Sequence, residues 1–201
     1  MQNLIHKSAG QTCGQRPQIE VQDKDVGRDA SVVSIRDATP DDKGKLRRMF
    51  HRLSSKTLYR RFHLPYSEVP EKTLALVLDV DHQDKESLVA VAEGEIIAHA
   101  MYARAGDSGD AEVAFVVEDG WQSKGVGKLL LSQIAEKAQL RGVETFTGEV
   151  LGENRRVLGL LNAVFAEVVY GIRGGLYHFR VPLRTLKPAA ADPLRMLRRA
   201  A

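Results

Sequence analysis

The sequence predicts an α+β fold, a mixed and mostly antiparallel sheet of six to seven strands flanked by helices. Three observations predict it. Runs of β-branched and aliphatic residues recur at 32–36, 87–92, 95–103, 111–117, 145–150, 167–170 and 176–183, bounded by turn residues. Apolar residues at helical spacing fall between the first and second runs, after the fourth and after the fifth. The resulting order, β-α-α-β-β-β-α-β-α-β-β, holds one parallel βαβ step among hairpin-connected strands. With 201 residues, 43% of them hydrophobic, the chain can fill one core without staples.

Residues 1–30 mix Gln, Asp, Gly and Lys without apolar periodicity and read as a flexible leader. The first strand runs into Thr39-Pro40-Asp41-Asp42, a helix start. Thr39 caps, Pro40 suits the first helical position, and the acids face the positive end of the dipole. Leu46, Met49, Phe50 and Leu53 follow on one helical face. A second helix from near Ser54 carries Leu58, Tyr59 and Phe62 until Pro65 interrupts it, and a third piece spans 70–78. Glu93-Gly94 turns one strand into the next. The helix after Gly125-Val126-Gly127 aligns Val126, Leu129, Leu130, Ile134 and Ala138, and Gly142 sits just past its end. A last helix runs from Asn154 to about Phe165, and Gly174-Gly175 turn the final hairpin. The domain reads as 31–183, followed by a basic tail at 184–201.

Composition removes several classes. Cys13 is the one cysteine, so a disulfide framework is excluded. No apolar run reaches the ~18–20 residues of a membrane span. The polar N-terminus lacks the apolar segment of a secretory signal, so a cytoplasmic protein with no membrane partner is expected. The formal net charge is +3, yet the last 18 residues alone sum to +4 and the remainder to −1. The basic excess belongs to the tail, and nucleic acid is not the expected partner. The histidines (His6, His51, His63, His82, His99, His178) show no zinc-ligand spacing, so no metal is expected.

The chemistry concentrates in Ala111 to Lys128, AEVAFVVEDGWQSKGVGK. An apolar strand ends in a Gln-x-x-Gly-x-Gly loop that opens directly into a helix. Glycines let backbone N–H groups crowd an anion, the helix N-terminus adds partial positive charge, and Lys124 and Lys128 add full charges. Two other phosphate loops do not apply. Val126 stands where a P-loop needs Lys, and Leu130 stands where a dinucleotide fingerprint needs its third Gly.

Here the chain resembles the GNAT family of acetyl-CoA-dependent N-acetyltransferases. Gln122-Ser123-Lys124-Gly125-Val126-Gly127 is similar to that family's (Arg/Gln)-x-x-Gly-x-(Gly/Ala) pyrophosphate loop. Glu149-Val150 to Glu153-Asn154-Arg155-Arg156 is similar to its later strand-to-helix segment, whose Asn contacts the pantetheine region. The resemblance covers 31–183. The run Leu53-Ser54-Ser55-Lys56-Thr57-Leu58-Tyr59-Arg60-Arg61-Phe62 adds a narrower likeness, to the catalytic domain of bacterial Pat-type protein lysine acetyltransferases. Those enzymes modify protein substrates that include AMP-forming acyl-CoA synthetases. With so short a leader, the cyclic-nucleotide-binding module that some of them carry is not expected.

The resemblance implies acetyl-CoA as cosubstrate. Phe115, Val116, Val117, Gln122, Ser123, Lys124, Gly125, Val126, Gly127, Lys128 and Asn154 would bind it, with the Val117 N–H as donor to the thioester oxygen where the neighbouring strand splays away. It also implies Glu112 as general base. A lysine with pKa near 10.4 is neutral in only ~1 of 2,500 molecules at pH 7, a cost of roughly 4.6 kcal/mol that a proton-accepting carboxylate offsets. Glu112 is the one acid inside its apolar strand, and burial would raise its pKa toward a useful range, although strand alternation also allows it to face outward. Leu161 falls about where many family members place a proton-donating Tyr, so the thiolate would leave as such, and the nearby candidates Tyr170 and Tyr177 read first as packing residues. Arg60-Arg61 read first as a solvated helix face, with contact to substrate or to a CoA phosphate as the alternative. The expected activity is direct acetyl transfer to an amine, preferably a protein lysine. A small-molecule amine and a non-catalytic CoA-binding module are the alternatives.

Overall fold

The computed structural model describes residues 18–21, 31–64, 69–104, 106 and 108–188; His6, Cys13, most of the leader and the tail beyond Pro188 lie outside the described residues. The strands are β1 (Gln18–Val21), β2 (Ser31–Asp37), β3 (Lys85–Ala92), β4 (Glu95–Arg104), β5 (Asp110–Val117), β6 (Thr145–Leu151), β7 (Val169–Arg173) and β8 (Leu176–Pro182). They form one sheet in the order β1-β2-β3-β4-β5-β6-β8-β7, and every pair is antiparallel except β5–β6. The helices are α1 (Lys43–Arg52), α2 (Ser55–Phe62), α3 (Glu71–Leu78), α4 (Val126–Leu140) and α5 (Arg155–Val164). Among the described residues no helix is long and apolar enough to cross a membrane.

The seven expected strands are present, and β1 is an addition. It lies inside the residues read as a flexible leader and pairs with β2, Gln18 opposite Ser34. Four residues reading Gln-Ile-Glu-Val do alternate, but they are too few to stand out from polar flanks.

α4 covers one face of the sheet. Val126, Leu130, Leu131, Ile134 and Ala138 bury there with Ala98, Ala100, Tyr102, Val113 and Phe146. Gly142, at φ 76°, ends the helix as the sequence predicts. α1 to α3 cover the other face, where Leu46, Met49, Phe50, Leu58, Leu74 and Val77 meet Val89, Ile96 and Val116. The start of α1 differs from the simple cap. Pro40–Asp42 is a 3-10 turn, and Asp42 turns inward, 3% exposed. Its carboxylate accepts from Arg36 Nη1 and Nη2 at 2.6 and 2.7 Å and from the Thr39 N–H at 2.9 Å. The Arg36 pairing holds the Asp42 carboxyl below its usual range. The first tail residues dock rather than hang free. The Ala166 N–H donates to Thr185 O at 2.8 Å, and the Lys187 N–H to Val164 O at 2.9 Å.

Candidate active site

β5 and β6 pair only at their beginnings, where Asp110, Ala111 and Glu112 lie opposite Thr145, Phe146 and Thr147. Beyond Glu112, β5 stays with β4 as far as Val117 and β6 stays with β8 as far as Leu151, so the sheet opens between them. The Glu118 N–H donates to Ile97 O on β4. N–H groups alternate sides along a strand, so those of Phe115 and Val117 point into the opening, while that of Val116 points toward β4. The opening is in effect a sheet edge inside the sheet.

A cleft of about 400 Å³ fills it, walled by Phe115, Val116 and Val117, by the loop ahead of α4, by α5 and by α2. The loop earns its shape from two left-handed residues, Ser123 at φ 64° and Gly125 at φ 86°. Only glycine takes the second without the cost of about 1–2 kcal/mol that a Cβ brings. α4 begins directly after Gly125, and no side chain caps it, so its first N–H groups are left for a ligand. Lys128, Arg156, Arg60 and Arg61 add positive charge to the walls.

Two polar ties hold the loop. Gln122 Nε2 donates to Val117 O at 3.0 Å, and Gln122 Oε1 accepts from Arg156 Nη1 at 2.6 Å, so one side chain links β5 to α5. Asp119, just before the loop, accepts from the Ser54 N–H and hydroxyl, both at 2.9 Å, and from the Thr57 hydroxyl at 2.7 Å. That fixes the first turn of α2 to the mouth of the cleft.

Of the residues expected to bind the cosubstrate, Phe115, Val116, Val117, Gln122, Ser123, Gly125, Gly127, Lys128 and Asn154 line the cleft. Lys124 and Val126 do not. Lys124 Nζ lies 5.5 Å from the centre of the Trp121 ring, and the Val126 side chain is buried in the α4 core. Thr57, Val157, Gly159, Leu160 and Ala163 also line it, as do Arg60 and Arg61, which are not a merely solvated face. The helical spacing of Arg156, Gly159, Leu160 and Ala163 is the signal that marks this wall in the sequence.

Glu112 departs from expectation. It is exposed, not buried, because its neighbours Ala111 and Val113 turn into the α4 core and alternation sends Glu112 to the α2 face. Its charged neighbour is Arg61: burial pushes that guanidinium down to about 10, against the pull of the Glu112 carboxylate. Leu161 is fully buried in the core, and Leu160 takes the cleft-facing place beside it. Tyr170 accepts from Asn162 Nδ2 at 3.1 Å and packs edge-on to Tyr177 at 6.2 Å. Neither is among the described residues lining the cleft. The cleft can receive a long, anionic ligand: unpaired strand N–H groups suit amides, and the N–H-rich loop with its basic neighbours suits a diphosphate.

The pattern of the Acetyltransferase (GNAT) family matches residues 48–164, more than half of the chain. The chain belongs to the GNAT family of acetyltransferases. Over 128 residues this acetyltransferase is 36% identical to the acetyltransferase Pat of Mycolicibacterium smegmatis, a match that takes in 59% of this chain and 37% of Pat. The chain thus spans little more than a third of that relative. The GNAT domain of S. lividans PAT superimposes with a TM-score of 0.73 at 28% identity, covering 83% of this chain and 96% of that domain. The yncA protein of Salmonella typhimurium, solved with its cofactor acetyl-CoA, shares the GNAT fold at a TM-score of 0.61 and 18% identity, over 75% of this chain and 94% of its own.

Proposed function

We propose that this acetyltransferase moves the acetyl group of acetyl-CoA directly onto a lysine side chain of a protein substrate. The observation that carries the reading is the opening between β5 and β6, with Glu112 exposed at its base. The loop from Gln122 to Lys128, with Arg156, holds the diphosphate, the edge from Phe115 to Val117 holds the pantetheine amides, and Asn154 meets them at the head of α5. The Val117 N–H serves the thioester oxygen as it gains charge. Acetyl-CoA supplies the activated acyl group, and Glu112 takes the proton that the attacking amine must lose. An exposed base favours a protein acceptor, since a lysine on a folded surface needs access, whereas a small amine gains from enclosure. Resemblance to Pat-type enzymes supports the same acceptor and suggests an acyl-CoA synthetase among the partners.

Glu112→Gln tests the base. Acetyl-CoA should still raise the melting temperature, while transfer falls by roughly 10²–10⁴-fold. Unchanged transfer would remove Glu112 from the mechanism. The acceptor is tested by incubating the protein and acetyl-CoA with cell proteins and free amines and locating the label by mass spectrometry. Labelled lysines are expected, and label on free amines alone would defeat the protein-acceptor reading.

A further inference from the structure

The sheet face that carries Glu112 holds a second carboxylate without a task in the reaction above. Glu112 lies opposite Thr147, and Glu149 stands two residues further along β6 on the same face, about 6.6 Å on. Glu149 Oε1 is 3.3 Å from Nδ1 of His178, its direct cross-strand neighbour on β8. Its Oε2 is 4.0 Å from Nδ1 of His63, the left-handed residue that ends α2. The last turn of α2 thus spans from the cleft wall at Arg61 to Glu149.

The other charges on this ground are engaged elsewhere. Arg180 forks onto Asp110 at 2.8 and 3.0 Å, Arg60 reaches Glu153 at 3.6 Å, and the charge of Arg61 acts on Glu112. Among the described residues, the ionisable partners of Glu149 are therefore imidazoles, which carry a full charge only when protonated. His63 Nε2 is itself enclosed and has no hydrogen-bond partner in the structure. A carboxylate flanked by two imidazoles, near-half exposed at 46%, on the same sheet face as the proposed base and across the opening from it, is placed to meet a cation.

We propose that Glu149 binds the ammonium of the incoming acceptor, a specificity residue that selects amines arriving as cations and passes them to Glu112. His63 and His178 are positioning residues that aim its carboxylate. An ammonium on a four-carbon stem offers three donors to a carboxylate, and it sheds its proton only on reaching Glu112. The inference rests on the reading above for the identity of the amine and for Glu112 as the base.

Steady-state acetylation of a lysine peptide and of spermidine, by wild type and Glu149→Gln, tests it. The acceptor KM should rise about tenfold, with kcat at saturation and acetyl-CoA binding within about twofold of wild type. Glu149→Asp should recover most of the loss, and His178→Gln should raise KM in the same direction. A merely structural role would not split KM from kcat in this way. An unchanged acceptor KM, or a loss confined to kcat or to acetyl-CoA binding, overturns the assignment. If the wild type acetylates spermidine alone, the lysine reading fails, and the KM change on spermidine still decides Glu149.

Discussion

His99 sits fully buried on β4, opposite Val116, where the α2 face closes over the sheet. Its Nε2 shares a 2.9 Å hydrogen bond with Ser87 Oγ, and its Nδ1 has no partner. Burial, helped by the nearby charge of Arg61, pushes its pKa from 6.5 down to about 3. Between those values the unfolded chain binds a proton that the folded chain refuses, so stability rises with pH across that window and is lost on acidification. One such group contributes a slope of up to about 1.4 kcal/mol per pH unit. Melting curves of wild type and His99→Gln between pH 4 and 7 should therefore converge toward acid, and parallel curves would show that His99 is not the group responsible. Such residues separate what is legible in the sequence from what is not. Glu112 stands out as the lone acid in an apolar strand, but its exposure depends on which neighbours turn into the α4 core. Arg61 reads as one of two basic residues on a helix, and only the packing of α2 on β5 reveals it as a partly buried neighbour of Glu112.

At the scale of elements, the loop and the start of α4 are readable because their signal is local. A left-handed glycine and an uncapped helix start need nothing from distant residues. The opening between β5 and β6 is different, since it depends on which partner each strand prefers beyond Glu112. Gly148 on β6 lies just past the last β5–β6 pair, where the opening begins. A Cβ there would stand 2.6 Å from Phe179 Cζ and 3.1 Å from Val113 O, so the glycine lets the β8 ring cross beneath the strand while β5 lies close. Gly148→Ala should lower the unfolding free energy by about 1–3 kcal/mol, measured by urea denaturation, and a neutral result would mean that the ring moves aside freely. α5 follows the same logic. Its core residues Leu161 and Val164 are evident from periodicity, but the cleft face through Arg156, Leu160 and Ala163 gains meaning only beside β5.

For the whole molecule, the cleft draws on residues from Thr57 to Ala163, in α2, β5, the α4 loop and α5. A ligand bridging them joins segments that the sheet leaves apart. Acetyl-CoA at a hundredfold excess over its Kd should add about 2.7 kcal/mol, a rise of roughly 5–10 °C in melting temperature for a domain of this size. Replacing Lys128 and Arg156 together by Ala should shrink that rise, and an undiminished shift would place the diphosphate elsewhere. The sequence by itself determined seven of the eight described strands, the order of the helices among them, the glycine loop ahead of α4 and the family, because periodicity, capping residues and glycine positions act over a few neighbours. The tertiary structure alone decided that β1 extends the sheet, that Glu112 is exposed, that Arg60 and Arg61 line the cleft, and that His63 and His178 gather about Glu149. Those facts depend on strand register and on which helix lies over which face, and both are settled by burying the whole apolar surface at once rather than by any single stretch of chain.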